Sequence, residues 1–167
     1  KDIIKNLLLK AKGYYSKYPV NPGDRVCEGG AIGSLGSRAV GNWYLSTDVG
    51  CAFIMLDGAT HAYQLTKDLE LKELIDEMIE KFLSTDIYGL SFQTHATLSA
   101  CRGVLRYYEM TGDTRLLKAV EDIFQHYMKT GMTENYENYN WFNRPEWTEP
   151  CAVIDSFILA FGLWKNT

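Results

Sequence analysis

A long polar and aromatic segment, residues 133–151, holds the side chains most suited to chemistry. Five aromatic side chains fall within twelve of its residues: Tyr136, Tyr139, Trp141, Phe142 and Trp147. Aromatic faces beside amides and carboxylates suit the apolar face and the hydroxyl rim of a sugar ring. We expect Tyr139, Trp141 and Trp147 to contact a saccharide. The alternative is a loop that only covers helix ends.

Carboxylates are the second feature of this segment. Glycoside hydrolysis ordinarily uses two acids that flank the scissile bond, one protonating the leaving oxygen and one acting as base or nucleophile. The candidates are Glu134, Glu137, Glu146 and Glu149. Glu149 is the best placed, because it precedes Pro150, a favoured first-turn residue, and a helix N-terminus stabilises an anion. The alternative for each of the four is a solvated surface acid.

Glu149 and Cys151 also form half of a metal site. A carboxylate and a thiolate two residues apart at the start of a helix are able to face one zinc ion. Zinc requires two further ligands, and the neighbouring sequence offers no Cys or His to supply them.

Three segments of the chain end alike, which indicates internal repeats. Thr66 and Thr111 each follow a long apolar-periodic stretch, and Thr167 ends a third. The spacing is 45 residues from 66 to 111 and 56 residues from 111 to 167, a period typical of repeat architectures. The chain is therefore predicted to be a tandem array.

Apolar residues recur with helical spacing inside each repeat. We predict first helices around 53–63 and 98–108, and second helices over 71–82 and 116–127 that follow the N-cap residues Asp68 and Asp113. No strand of five or more residues shows clean alternation, so the fold class is all-α, built of tandem helical hairpins. Such hairpins either wind into an open solenoid or close into a ring, and closure needs more hairpins than 167 residues supply.

The first fifty residues are less regular. We predict a helix from Ile3 to about Tyr18 and another from Ala39 to Leu45 or on toward Val49. The Gly-rich connection at 27–36 lacks the pattern of a nucleotide site. His61 and His126 carry no motif and are expected to be packing or surface residues.

His95 is the histidine that the repeats single out. The offset of 56 residues places His95 on Cys151, and both start a predicted helix. Because equivalent helix starts face a common mouth in a ring of hairpins, we expect His95, Glu149 and Cys151 to converge. A histidine that only caps its helix is the alternative.

Composition narrows the classes of partner. The chain has 167 residues, 46% of them hydrophobic, and a formal net charge of −4 with no basic cluster, which argues against nucleic acid and anionic membranes. No apolar run is long enough for a membrane span and no targeting signal is visible, so we expect a cytoplasmic protein, with secretion or a periplasmic location left open. The four cysteines are expected to be reduced, with Cys151 a zinc ligand and Cys27, Cys51 and Cys101 core thiols; one or two disulfides in a secreted protein are the alternative. A small saccharide is the expected partner, and a homodimer stays open.

Two segments carry a family resemblance. Residues 94–113 look like an inner helix of the six-hairpin glycosidases, and residues 147–155 resemble the Glu-x-Cys element of the β-L-arabinofuranosidase family that uses a zinc-bound cysteine. The resemblance implies that residues 1–167 are part of an (α/α)6 toroid that is truncated at the C-terminus, and at the N-terminus as an open alternative. About three of six hairpins would be present.

The resemblance also implies roles for residues. Glu149 and Cys151 would bind zinc, Glu134 or, less favoured, Glu137 would be the general acid/base, and His95 would line the sugar pocket. The family's downstream cysteine pair, which includes the nucleophile, has no counterpart in this sequence. With a complete zinc-thiolate site, the enzyme would be a glycoside hydrolase for plant-type or related saccharides that retains the anomeric configuration.

Other functions stay open at this point. The first is a non-catalytic helical-repeat module that binds a carbohydrate or peptide. The second keeps the toroid and changes the reaction, to a sugar epimerase or a zinc-dependent lanthionine-forming cyclase. An epimerase needs histidine acid/base pairs, and a cyclase needs a Cys-His zinc pair.

Overall fold

The structure, a computed structural model, describes residues 2–19, 38–40, 43–45 and 49–167. Within these residues the chain is mostly helical, with two small antiparallel sheets. The helices are α1 (Asp2–Leu9), α2 (Met55–Thr66), α3 (Leu69–Leu83), α4 (Thr94–Thr111), α5 (Thr114–Thr130) and α6 (Cys151–Asn166). The strands are β1 (Arg38–Val40), β2 (Trp43–Leu45), β3 (Asn138–Trp141) and β4 (Arg144–Glu149).

The two predicted hairpins, α2–α3 and α4–α5, are confirmed. The apolar stripe of α3 is buried along its whole length: Leu71, Leu74, Ile75, Met78, Ile79 and Phe82. Both predicted N-caps form, because the Asp68 carboxylate accepts the backbone N–H groups of Glu70 and Leu71, and Asp113 accepts that of Arg115. The helical period and the capping residues therefore determine these elements.

The hairpins pack side by side, with α4 in the middle of the layer. Helix α2 lies against one side of α4 and α6 against the other, while α3 packs on α2 and α5 packs on α4. The core between them is rich in aromatic rings, including Phe53, Phe82 and Phe92, and the ring centroids of Phe53 and Phe82 are 5.3 Å apart. This arrangement brings the N-termini of α4 and α6 together.

Two segments that the sequence predicted to be a helix and a loop are β-strands instead. The predicted helix over 39–45 is the antiparallel pair β1–β2, and the predicted loop within 133–151 is the hairpin β3–β4. In the second case polar and aromatic residues alternate along β3, and aromatic residues favour strands. A two-residue connection containing Asn143, whose φ is 58°, closes the hairpin. Asparagine tolerates this left-handed conformation better than most residues do.

The N-terminal helix is shorter than predicted. Helix α1 ends at Leu9, and turns then lead to a 3-10 helix at Tyr15–Lys17. Gly13, with φ of 80°, takes a left-handed conformation that interrupts a regular helix there. The Gly-rich segment at 27–36 lies outside the described residues.

Cys101 and Cys151 are free thiols, as predicted. Cys101 is fully buried in the core, and burial raises its pKa. Cys51 is half-buried and Cys151 is exposed, so only one of these three is a true core thiol. Cys27 lies outside the described residues. Among the residues that the structure does describe, no helix has the length and apolar character required to cross a membrane.

His126 is a packing residue, and it makes stability depend on pH. Its ring centroid is 3.7 Å from that of Tyr88 and 5.9 Å from that of Phe142, and burial lowers its pKa. A lowered folded-state pKa means that the unfolded chain takes up the proton first. Its contribution to stability is therefore full above the unfolded pKa of about 6.5 and is lost as the pH falls below it.

We expect the free energy of unfolding in urea to fall between pH 7.5 and pH 5, roughly the range over which an ordinary histidine titrates. His126→Phe keeps a ring at this position and removes the titration, so it should flatten that part of the profile. His61→Gln, at an exposed position on α2, is the control and should leave the profile as it is. A profile unchanged by His126→Phe would contradict the assignment.

Candidate functional site

The β3–β4 hairpin is fixed against the start of α4. Gln93 forms an antiparallel bridge with Trp141, and the Thr94 hydroxyl donates to the backbone carbonyl of Tyr139 at 2.5 Å. The backbone N–H of Phe142 donates to the carbonyl of Phe92 at 3.1 Å. The polar and aromatic segment is therefore a rigid edge beside the helix start that carries His95.

His95 is joined to Asp155, which lies one turn into α6. Its Nδ1 contacts the carboxylate of Asp155, whose other oxygen accepts from Arg102 Nη1 at 2.5 Å. The Asp155 side chain is only 4% exposed, whereas that of His95 is 31% exposed. The buried carboxylate orients an imidazole that still reaches the surface.

The charged contacts continue from α6 through α4 to α2. Arg102 Nη2 is 3.1 Å from Asp57, and Arg106 Nη1 donates to the same carboxylate at 2.7 Å and to the Thr60 hydroxyl at 2.9 Å. Two arginines thus share two aspartates across three helices. Because the two positive and two negative charges balance, the cluster stabilises the packing of the three helices. It also holds the carboxylate that contacts His95.

A cleft of about 210 Å³ lies beside this cluster, between α4 and α6. Its polar lining residues are Arg102, Arg106, Glu109 and Lys165. Lys165 is paired with Glu109, and both lie near the C-terminal ends of their helices. The cleft is therefore separate from the end of the helix layer where the hairpin packs.

The aromatic residues of the hairpin differ in burial: some pack inside the protein and others face solvent. Trp141 is buried, and the guanidinium carbon of Arg144 lies 4.7 Å from the centroid of its ring. Trp147 packs on Trp141 with ring centroids 5.8 Å apart and is itself 42% exposed. Tyr139 is half-buried. Of the three predicted sugar contacts, Trp147 offers the largest accessible ring.

Glu134 and Glu137 lie in the turn that leads into β3, and both are exposed. Thr133 closes this turn, because its N–H donates to the Glu137 carbonyl and its hydroxyl accepts the Glu137 N–H. Glu137 directly precedes Asn138, which pairs with Glu149 across the hairpin. Glu137 and Glu149 therefore share the open end of the hairpin. A general acid is usually held in apolar surroundings, which this exposed turn does not provide.

The described residues do not form a complete zinc site. Glu149 is half-buried at the end of β4, and Cys151 is exposed at the first position of α6. Across the described residues, three or more His, Cys, Asp or Glu side chains are nowhere grouped so as to hold a metal ion. Protein zinc sites use at least three such ligands. Zinc at Glu149 and Cys151 therefore stays a prediction that requires ligands from elsewhere.

The structure brings His95 to α6 as expected, but to a different partner. We expected Glu149 and Cys151, and the contact is instead with Asp155, with Arg102 behind it. Asp155 did leave a signal in the sequence, because it is the one charged residue of the mostly apolar stretch 151–164. A lone acid in such a stretch predicts a buried pair or a functional group.

No family model matches this chain, and the searches of curated proteins and of solved structures found no match either. The proposed function therefore rests on the geometry of the site.

Proposed function

We propose that this chain is part of an α/α-toroid glycoside hydrolase that acts on plant-type or related saccharides. One observation carries the proposal: a histidine oriented by a buried carboxylate lies beside a rigid hairpin that exposes Trp147. The Gln93–Trp141 bridge holds these two features at one end of the helix layer. An exposed aromatic ring and an oriented polar side chain at the same end of the layer suit the apolar face and the hydroxyls of a sugar.

The helix layer supports the toroid part of the proposal. Helices α2, α4 and α6 pack in sequence, and α3 and α5 each cover the helix before them. A toroid repeats this inner and outer pairing until the ring closes, with helix starts around one mouth. Two such hairpins and α6, the first helix of a third, would supply a little under half of a ring of six hairpins.

The residues of this chain would act mainly by binding and by proton transfer. A sugar ring would stack on Trp147, with Trp141 behind it as support. Because Asp155 engages Nδ1 of His95, the opposite ring nitrogen, Nε2, is the atom that would hydrogen-bond a sugar hydroxyl. Glu134, with Glu137 as the alternative, would donate a proton to the glycosidic oxygen once bound substrate excludes water from the turn.

The substitution Trp147→Ala tests the binding half of the proposal. We expect it to weaken the binding of soluble plant oligosaccharides by roughly tenfold, which corresponds to about 1.4 kcal/mol for a lost stacking ring. Isothermal titration calorimetry measures the effect. Trp164→Ala is the matched control, because it removes an exposed tryptophan near the C-terminus of α6, away from the hairpin. This variant should bind oligosaccharides normally. Equal binding by both variants would remove Trp147 from the site.

Hydrolysis of arylglycosides tests the catalytic half. Glu134→Gln and Glu137→Gln each replace a carboxyl that titrates with an amide that does not. Hydrolysis should fall in the variant that lacks the general acid/base and stay unchanged in the other. Full activity in both variants would eliminate this assignment, whatever Trp147 does.

A binding module without turnover is the second candidate, and the exposure of Glu134 and Glu137 favours it. Saccharide binding that is lost in Trp147→Ala, together with no hydrolysis by the unaltered chain, would support this function. A sugar epimerase is less suited to the site. His61 is exposed on α2 and His126 packs between aromatic rings, so His95 has no second histidine as an acid/base partner.

A further inference from the structure

Arg144, the first residue of β4, lies over the ring of Trp141, which is also the ring on which Trp147 packs. The Arg144 guanidinium carbon is 4.7 Å from the centroid of Trp141, and the centroids of Trp141 and Trp147 are 5.8 Å apart. The separation between the guanidinium and the exposed Trp147 ring therefore does not exceed the sum of these two distances. Neighbouring rings of one oligosaccharide are able to span it.

Neighbouring residues fix the position of Arg144. Asn143 donates from Nδ2 to the backbone carbonyl of Tyr88 at 3.0 Å, and Pro145 keeps the residue before it out of the helical conformation. The contact with the Trp141 ring orients the guanidinium itself. A side chain that is already ordered loses less conformational entropy when it binds a ligand. Arg144 is thus preorganised for binding.

The guanidinium of Arg144 also has N–H groups that the protein leaves available. Within the described residues it makes no hydrogen bond, and its ion-pair partner is Glu146, whose Oε2 is 3.6 Å from Nε. The Glu146 side chain is 56% exposed, so solvent screens this long contact. In contrast, Arg102 and Arg106 are held closely by aspartates. The donors of Arg144 therefore remain able to bind an anionic group.

A carboxylate is the anionic group that fits an arginine best. Its two oxygens accept two parallel N–H groups, so the contact supplies direction as well as charge. Among plant-type saccharides, this group is carried by uronic acids. The net charge of the chain is −4, which does not attract anions at long range. A preference for acidic saccharides would therefore require a direct contact of this kind.

We propose that Arg144 forms a subsite for the carboxylate of a uronic acid, beside a sugar ring that stacks on Trp147. This inference rests on the proposed function, because it names the class of saccharide that the same surface binds. Arg144 acts by binding alone and takes no part in proton transfer. Its effect is to favour acidic saccharides over neutral ones of the same shape.

Trigalacturonate and its methyl ester are the probes, since they share one carbohydrate backbone and differ in charge. Isothermal titration calorimetry of the full chain should show roughly tenfold tighter binding of the acid, as expected for one charge-assisted contact. Arg144→Gln should lower the affinity for the acid to that for the ester and leave the affinity for the ester unchanged. Arg115→Gln, which removes an arginine that is 59% exposed on α5, is the charge-matched control and should keep the preference.

Glu146→Gln gives a second measurement that leaves Arg144 in place. Removal of the competing carboxylate should strengthen the binding of the acid by roughly threefold and leave that of the ester unchanged. Equal binding of the two probes by the unaltered chain would overturn this inference and leave the saccharide function standing. A preference that persists in Arg144→Gln would also overturn it. Binding of neither probe would count against the saccharide site itself, and the inference would fall with it.

Discussion

Gly103→Ala is expected to destabilise the fold by about 2–3 kcal/mol, although alanine is the better helix former. Gly103 lies inside α4, where it faces the backbone of α2. A Cβ at this position would be 2.5 Å from the carbonyl carbon of Leu56 and 2.8 Å from the backbone nitrogen of Asp57. Backbone atoms cannot rotate away, so the two helices would have to separate. The loss of packing outweighs the gain of roughly 1 kcal/mol in helix propensity.

Gly58→Ala is the matched control. Gly58 lies on α2 close to the same contact, but it is exposed and a Cβ there would meet no atom within 4 Å. This substitution should therefore stabilise the protein by up to about 1 kcal/mol. Urea unfolding followed by circular dichroism compares the two variants. If Gly103→Ala were as stable as Gly58→Ala, the close approach of α2 and α4 would be wrong.

Gly103→Ala should also weaken the cluster of charged side chains that joins α2, α4 and α6. Asp57 lies at this contact and accepts from Arg106 while pairing with Arg102. Moving α2 away from α4 would lengthen these ion pairs together. Gly103 is thus one of the residues that keep the layer close enough for side chains of three helices to meet.

The sequence predicted the helices that have both a period and a cap. Helices α3 and α5 each follow an aspartate and carry an apolar stripe, so local physics alone determines where they begin and which face is buried. The sequence did not predict the β3–β4 hairpin, because its aromatic residues suggested ligand contacts and its strands are short. Part of that hairpin, including Trp141, instead packs as core.

One contact of the candidate site, that of His95 with α6, was predicted from the sequence. The repeat offset aligned His95 with Cys151, and the true partner, Asp155, lies about one helical turn further along α6. Repeat alignment gives the register of helices but not the direction in which side chains point across an interface. The role of Arg102 depends on α2 and α6 together, so no single segment of the sequence contains it.

Asp155→Ala should cost about 3 kcal/mol of stability, because it breaks a buried ion pair while leaving the partner charges in place. The Asp155 side chain is 4% exposed and contacts both His95 and Arg102 on α4. Without it, the Arg102 guanidinium keeps only Asp57, and its Nε already has no hydrogen-bond partner within the described part of the chain. The positive charge that remains on Arg102, whose side chain is 22% exposed, is the main cost.

Two further variants distinguish the loss of the Arg102–Asp155 ion pair from a loss of packing. The double substitution Arg102→Met/Asp155→Leu removes both charges and keeps apolar volume, so it should recover much of the stability lost in Asp155→Ala. Asp122→Ala breaks the exposed Lys118–Asp122 pair on α5 and should change stability little. Urea unfolding at neutral pH measures all three. If Asp155→Ala cost no more than Asp122→Ala, the ion pairs would not hold α6 against α4, and the orientation of His95 would need another cause.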